Sequence, residues 1–251
     1  MPEPRDKSPA ELALIQLLPN MITIAAICAG LTAIRFGFQG DFVRSVQLIL
    51  AACVLDGVDG RLARLLNSDS KMGAELDSLA DFLNFGVAPP LVLYFWTLQD
   101  MRSAGWLTVL VFAVCCVVRL ARFNVASKDE EARDDGAFFT GIPAPAGAML
   151  VFLPMFISFA FSDAPLLPDA LICLYMVGIG LLMISRIPVW SFKTTRISRQ
   201  NVKFVLVGFA FIGAAVLTFA WITLVALCLA YIGLVIWAML SPGTSKTDTK
   251  A

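Results

Sequence analysis

Long apolar runs separated by short polar breaks occupy most of this chain. A helix needs about 20 predominantly apolar residues to cross a bilayer. By this criterion we predict eight membrane spans, at residues 20–36, 45–66, 73–96, 106–123, 145–161, 167–188, 203–220 and 222–240. The predicted fold class is therefore all-α, a polytopic helical bundle with about eight transmembrane helices. Residues 1–18 are expected to form an N-terminal cytoplasmic or interfacial segment, residues 19–240 the transmembrane domain, and residues 241–251 a flexible cytoplasmic tail.

Composition supports a membrane protein and removes several classes of chemistry. Of the 251 residues, 59% are hydrophobic and 15% are charged, whereas about a quarter are charged in soluble domains. The formal net charge is zero, so no nucleic-acid partner is expected. The six cysteines lie in apolar runs and are interpreted as packing residues. Because histidine is absent, an imidazole base, a Ser-His or Cys-His pair and a histidine zinc site are all excluded.

The distribution of basic residues predicts the orientation of the spans. With eight spans, sixteen of the 19 Lys and Arg residues lie on one side, and Arg35, Arg44 and Arg102 lie on the other. The positive-inside rule makes the rich side cytoplasmic. The acidic turn described next opens on that side, and we expect a multi-pass protein of the bacterial inner membrane.

Four aspartates interrupt the apolar pattern between residues 54 and 81. Asp56 and Asp59 share one stripe of a predicted helix, and Asp77 and Asp81 share one face of the next helix. The polar residues 67–71 between them predict a turn, so the two helices should run antiparallel with their acidic faces together. Carboxylates around one volume repel each other unless divalent ions lie among them, and oxygen-only ligands favour Mg²⁺ or Mn²⁺ over zinc.

The same stretch reads D-G-V-D-G-R-L-A-R, eight further residues, and G-A-E-L-D-S-L-A-D. It resembles the signature of the CDP-alcohol phosphotransferase family, D-x-x-D-G-x-x-A-R-x8-G-x3-D-x3-D. Every fixed position of that signature is filled, by Asp56, Asp59, Gly60, Ala63, Arg64, Gly73, Asp77 and Asp81.

The resemblance implies the roles of these residues. An alcohol would attack the phosphorus of a CDP-linked donor and release CMP, with two divalent ions held by the four aspartates. Asp81 would also be the general base, since no histidine competes for that role. Gly60, Ala63, Arg64 and Gly73 would bind the nucleotide or the donor. The alternatives are helix packing for Gly60 and Ala63 and surface anchoring for Arg64. The family also implies its characteristic fold and a homodimer.

Further segments resemble the family less specifically. Pro19-Asn20-Met21-Ile22-Thr23 resembles a P-N-x-x-T segment that contacts the nucleotide, which assigns Asn20 and Thr23 to the donor site. The alternative is that both residues only cap the first helix. The serine-using branch often has an asparagine three residues after the threonine, where this chain has Ala26.

Downstream, Arg119-Leu120-Ala121-Arg122-Phe123-Asn124 and the segment 139–146 resemble that branch. Arg119 and Arg122 would bind the acceptor's carboxylate or a phosphate, and anchoring to lipid headgroups is the alternative. Pro143 and Pro145 are expected to redirect the chain into the fifth span.

Together these resemblances imply transfer of a phosphatidyl group from CDP-diacylglycerol to the hydroxyl of L-serine, with membrane lipids as surroundings. The nearest alternative is the same chemistry with glycerol 3-phosphate, inositol phosphate or choline as the acceptor. A phosphorylated acceptor remains possible because the chain offers several cations that could bind its phosphate, namely Arg119, Arg122, Arg196 and Arg199. A remote alternative of another class is a cation transporter that uses the aspartates as a pathway.

Overall fold

Helices make up nearly all of the described chain. The computed structural model describes residues 9–66, 70–128, 138–161, 165–185, 188–190 and 202–240. Its α-helices are α1 Pro9–Phe38, α2 Phe42–Leu65, α3 Lys71–Asp81, α4 Ala88–Leu93, α5 Arg102–Lys128, α6 Ala144–Val151, α7 Leu153–Phe161, α8 Asp169–Ile184, α9 Val202–Thr218 and α10 Ala220–Leu240. Two π-helical stretches, Phe82–Val87 and Tyr94–Leu98, flank α4. Two short strands, β1 Phe138–Thr140 and β2 Pro188–Trp190, pair antiparallel.

The helices confirm an all-α membrane protein but not the number of spans. Among the described residues, four helical segments are long and apolar enough to cross a membrane: Leu17–Phe38, Lys71–Leu98, Arg102–Ala126 and Ala220–Leu240. Helices α6 and α7 give a fifth if the pair, bent by 41°, is one span. Helix α2 carries two aspartates and two arginines in its second half, and α8 and α9 have only 16 and 17 residues. The count of eight therefore stays a prediction.

Helix α1 continues without a break across the boundary expected at residue 18, with Pro19 inside it. Proline in a helix interior removes one backbone hydrogen bond. Residues 1–8 of the expected interfacial segment lie outside the described residues. The expected tail, residues 241–251, lies outside them as well.

A tight turn returns α2 along α1. Gly40 has φ of 83°, a conformation that suits a residue without Cβ. Asp41 then caps α2 by accepting a hydrogen bond from the backbone N–H of Arg44 at 3.2 Å. Further along the pair, Ser45 Oγ donates to the carbonyl of Ala33 at 2.7 Å, and both residues are fully buried. Small residues let the two backbones approach closely, which brings the second half of α2 beside the first half of α1.

Helix α5 packs one of its faces into the core of the bundle. Phe112, Cys116 and Leu120 on this helix are buried in the main apolar cluster, together with Met176 of α8. Large apolar side chains on the outside stay exposed, as Leu217 does at 89%, which suits a surface that faces lipid. The six cysteines are free. Cys115, Cys116, Cys173 and Cys228 are buried, in agreement with a packing role, whereas Cys53 is partly buried and Cys28 is exposed.

Close backbone packing fixes the start of α6. Gly141 has φ of 87°, and a Cβ added there would lie 2.5 Å from the carbonyl oxygen of Met183. Pro143 precedes the first residue of α6, and Pro145 lies in the first turn of that helix. The two prolines thus mark the point where the chain turns into the bent pair α6 and α7, as expected from the sequence.

Candidate metal and nucleotide site

The facing ends of α2 and α3 bring three of the predicted aspartates together. Helix α3 is capped by Ser70, whose Oγ accepts a hydrogen bond from the backbone N–H of Gly73 at 2.9 Å. One side-chain oxygen from each of Asp56, Asp59 and Asp77 lies within 4.8 Å of the corresponding oxygens of the other two. The two acidic faces therefore enclose one small volume.

Asp59 is the most firmly held of these carboxylates. It is 2% exposed, and Thr23 Oγ1 of α1 donates a hydrogen bond to its Oδ2 at 2.6 Å. The backbone N–H of Gly60 approaches Asp59 Oδ1 at 2.6 Å. Both carboxylate oxygens thus have a donor that fixes the orientation of the group. Hydrogen bonds that orient the ligating side chains in this way are typical of metal sites.

Asp81 adjoins the cluster without being one of the three residues that form it. Its carboxyl group lies within hydrogen-bonding distance of Asp56. Arg119 of α5 lies within electrostatic range of Asp81, and its guanidinium also lies 5.9 Å from the centre of the Phe123 ring. Asp81 therefore stands between the aspartate cluster and a cationic side chain.

The donor set fits divalent ions. Within the described residues, no Lys or Arg side chain forms an ion pair with Asp56, Asp59, Asp77 or Asp81. Four carboxylates at such close quarters require positive charge among them, and their ligand atoms are oxygen alone. Mg²⁺ and Mn²⁺ are the ions that such a site prefers.

A cavity of about 250 Å³ opens beside the aspartates. The six residues that the sequence assigned to the donor all line it: Asn20, Thr23, Gly60, Ala63, Arg64 and Gly73. Asp59 and Asp77 form part of the same wall. The geometry thus places the predicted nucleotide residues and two of the predicted metal ligands around one space.

The two glycines of this wall differ in what surrounds them. A Cβ added to Gly73 would lie 2.9 Å from Asn20 Oδ1 and 3.1 Å from Ser70 Oγ, so Gly73 permits close packing of α3 against α1. A Cβ added to Gly60 would meet no protein atom within 4 Å. Its missing side chain therefore leaves space within the cavity. Arg64 is exposed, and its Nε donates to the carbonyl of Gly60 at 3.1 Å.

The two arginines predicted for the acceptor have different surroundings. Arg119 lies beside Asp81, as described above. Arg122 is exposed, and its Nη1 donates to the carbonyl of Ile184 at the end of α8 at 2.7 Å. Arg122 thus ties α5 to α8, and only Arg119 of the pair is near the aspartates. Arg196 and Arg199 lie outside the described residues.

Sequence reasoning missed several participants. Pro19, Ser70 and Ala74 also line the cavity, and the Ser-x-x-Gly spacing of Ser70 and Gly73 could have indicated a helix cap at this point. Asn124 Nδ2 donates to Ser78 Oγ at 2.9 Å. That hydrogen bond connects α5 to α3, and no pattern in the sequence pairs these two residues.

The fold and the site define a membrane protein with a cluster of carboxylates suited to divalent ions beside a cavity of about 250 Å³. Residues 16–248 match the family model for CDP-alcohol phosphatidyltransferase. The chain belongs to this family, and the family identified from the signature is confirmed. The family uses divalent metal ions, in agreement with the acidic cluster.

Similar proteins occur in several bacteria, each bearing the name CDP-diacylglycerol--serine O-phosphatidyltransferase. The protein of Mycobacterium leprae is 39% identical over 219 residues, which cover 87% of this chain and 73% of the relative. The Helicobacter pylori protein (strain 26695) is 36% identical over 182 residues, covering 72% and 75%. The Bacillus subtilis protein is 36% identical over 177 residues, covering 70% and 91%.

Proposed function

We propose that this protein transfers the phosphatidyl group of CDP-diacylglycerol to the hydroxyl of L-serine, giving phosphatidylserine and CMP. The observation that carries the chemistry is the convergence of the Asp56, Asp59 and Asp77 oxygens within 4.8 Å beside the cavity. The choice of serine is supported by the relatives named above, each of which covers at least 70% of this chain.

Phosphoryl transfer explains why the site needs several carboxylates. Asp56, Asp59, Asp77 and Asp81 would hold two divalent ions, Mg²⁺ or Mn²⁺, which neutralise the diphosphate and stabilise the departing CMP. The serine Oγ forms a bond to the phosphorus that bears diacylglycerol, and the bond from that phosphorus to the bridging oxygen breaks. The electron pair of that bond leaves with CMP. Asp81 takes the hydroxyl proton, since it adjoins the cluster on the side of Arg119.

The cavity beside the aspartates would hold the cytidine end of the donor. Asn20 and Thr23 contribute polar groups from α1, and Arg64 contributes positive charge from α2. The open space at Gly60 lets the nucleotide approach the helix backbone. The diacylglycerol part can remain in the bilayer, because the site belongs to helices whose outer surface is apolar.

Arg119 is the side chain best placed for the acceptor. A guanidinium matches the planar geometry of a carboxylate, and Arg119 lies within electrostatic range of the proposed base Asp81. A phosphorylated acceptor would favour more cations at this point, but Arg122 already binds the carbonyl of Ile184. Among the described residues, this arrangement favours serine over glycerol 3-phosphate or inositol phosphate. Choline has no carboxylate to match Arg119.

The transporter alternative has no support once the family is known. The aspartates belong to a phosphotransferase signature whose every fixed position is filled, and the family model covers residues 16–248.

Product analysis tests the proposed reaction directly. Purified protein is incubated with CDP-diacylglycerol, Mg²⁺ or Mn²⁺, and separately with serine, glycerol 3-phosphate, inositol phosphate or choline. Mass spectrometry should detect a phospholipid product and CMP only in the reaction that contains serine, and that product should be phosphatidylserine. If another phospholipid forms at a higher rate, its alcohol and not serine is the acceptor.

Three further expectations belong to this proposal. The active site would face the cytoplasm from the inner membrane, on the evidence of the basic residues. Residues 19–240 would form the catalytic domain between the two short terminal segments. The protein would form a homodimer, as the family implies, and light scattering of the purified protein in detergent would measure its mass.

A further inference from the structure

A polar contact between α5 and α3 lies next to the aspartates without belonging to them. Asn124 Nδ2 donates to Ser78 Oγ at 2.9 Å. The same Ser78 hydroxyl donates to the carbonyl of Ala74 one turn earlier, at 3.1 Å. The hydroxyl therefore acts as acceptor and donor at once, which fixes its orientation.

Ser78 occupies a sensitive position on α3. It follows Asp77 directly and precedes Asp81 by three residues. Apolar packing holds this helix only weakly, since Ala80 is the one buried residue among its eleven and Leu79 is 62% exposed. A π-helical stretch follows immediately at Phe82–Val87, so regular α-helix does not continue beyond Asp81. Apart from its close approach to α1 at Gly73 and its continuation into the helical segment that ends at Leu98, few contacts of α3's own side chains therefore fix the rotation of the helix at Asp77 and Asp81.

Helix α5 is the better anchored partner. Phe112, Cys116 and Leu120 fix it in the apolar core. Five residues before Asn124, the same helix carries Arg119, which lies within electrostatic range of Asp81. Helix α5 therefore contacts α3 at Ser78 and also places a cation near Asp81, the last residue of α3.

We propose that the Asn124–Ser78 hydrogen bond sets the rotation of α3, so that Asp77 faces the metal ions while Asp81 faces both the ions and Arg119. Asn124 and Ser78 are positioning residues, because they act through the aspartates. The inference rests on the proposed function for its consequence in catalysis. Its consequence for metal binding does not depend on the identity of the acceptor.

Mn²⁺ titration of the metal-free protein by calorimetry tests this role without an activity measurement. Ser78→Ala and Asn124→Ala should each weaken Mn²⁺ binding by about tenfold, the lower end of the range for groups that orient metal ligands. The double variant should lose less than the sum of the two single losses, because both substitutions remove the same contact. Ser78→Thr keeps a hydroxyl and should restore most of the affinity.

Ser45→Ala is the matched control. It removes another interhelical serine hydrogen bond, to the carbonyl of Ala33 at 2.7 Å, but on a part of α2 that does not line the cavity. It should lower the unfolding temperature and leave Mn²⁺ affinity unchanged. Normal Mn²⁺ affinity in Ser78→Ala or Asn124→Ala would overturn the inference, and so would additive losses in the double variant.

The two proposals fail in different ways. If the wild-type protein makes no phosphatidylserine, the proposed function is wrong, whereas the Mn²⁺ titrations still report on the positioning pair. If phosphatidylserine is made and the titrations of all variants coincide, only the positioning role is wrong. In an active protein, serine turnover should fall in Ser78→Ala and recover in Ser78→Thr.

Discussion

Thr23 Oγ1 donates a hydrogen bond to Asp59 Oδ2 at 2.6 Å, although 36 residues separate them. The contact joins the P-N-x-x-T segment of α1 to the acidic signature of α2. Thr23 is 4% exposed and Asp59 is 2% exposed, so water cannot easily replace either partner. Thr23 therefore acts as more than a helix cap, because it orients a predicted metal ligand.

Replacing Thr23 by valine should weaken the metal site while the fold persists. Valine keeps the branched shape and removes the hydroxyl, so Asp59 Oδ2 loses its donor. We expect Mn²⁺ affinity or turnover to fall about 10- to 100-fold, as for other groups that orient metal ligands. Metal titration of the purified variant measures the first effect, and CMP release measures the second.

Thr32→Val on the same helix provides the control. Thr32 Oγ1 donates to the carbonyl of Cys28 at 2.6 Å, an exposed contact within α1. This variant loses a hydroxyl of the same kind and should keep its metal affinity. Equal effects of the two valine variants would show that Thr23 acts only on helix stability.

Gly60 should be required for the nucleotide and not for folding. A Cβ at Gly60 meets no protein atom within 4 Å, and the same holds for Gly57, but only Gly60 lines the cavity. Alanine favours a helix interior over glycine by about 1 kcal/mol. Both Gly60→Ala and Gly57→Ala should therefore unfold at the same or a higher temperature than the wild type.

The two alanine variants should differ in donor binding. In Gly60→Ala the new methyl group occupies cavity space, and the KM for CDP-diacylglycerol should rise about tenfold, within the range for one carbon in a fitted pocket. Gly57→Ala should keep the wild-type KM. Unchanged donor kinetics in Gly60→Ala would place the nucleotide elsewhere.

The sequence predicted the site better than it predicted the spans, for a physical reason. The signature fixes residue types at exact helical spacing, so the meeting of Asp56, Asp59 and Asp77 follows from two helices and one turn. Span counting depends only on apolar length. It cannot anticipate that Pro154 follows a 41° bend between α6 and α7, or that α8 ends after 16 residues.

Contacts between distant segments of the chain are the second feature that could not be predicted from the sequence. The positions of Arg119 and Arg122 on one helix suggested a shared role, because residues three apart lie on neighbouring positions of a helix surface. Arg122 instead donates a hydrogen bond to the carbonyl of Ile184 at the end of α8, while Arg119 lies near Asp81. Packing of α5 against α8 decides this difference, and no local pattern encodes it. The contact of Asn124 with Ser78 is of the same kind.

Removing the charge of Asp77 should abolish transfer in a folded protein. The substitution Asp77→Asn keeps the size of the side chain and leaves one neutral oxygen, whereas divalent ions of this class prefer carboxylates. This variant should therefore lose Mn²⁺ binding by calorimetry and lose CMP release. Asp100→Asn, at an exposed position outside the cavity wall, should keep both properties. Near-normal turnover of Asp77→Asn would refute its role as a metal ligand.

Asp81 should affect the chemical step more than donor binding. Its carboxyl group adjoins Asp56 without belonging to the cluster of three, which leaves it able to accept the serine proton. General base catalysis contributes typically 10²- to 10⁴-fold, so Asp81→Asn should lower kcat by about 100-fold or more. The affinity for CDP-diacylglycerol, measured by equilibrium binding in the presence of Mn²⁺, should change far less. A variant that chiefly loses donor or Mn²⁺ affinity would limit Asp81 to its role as a metal ligand, and the base would then have to be sought among the other groups that face the acceptor.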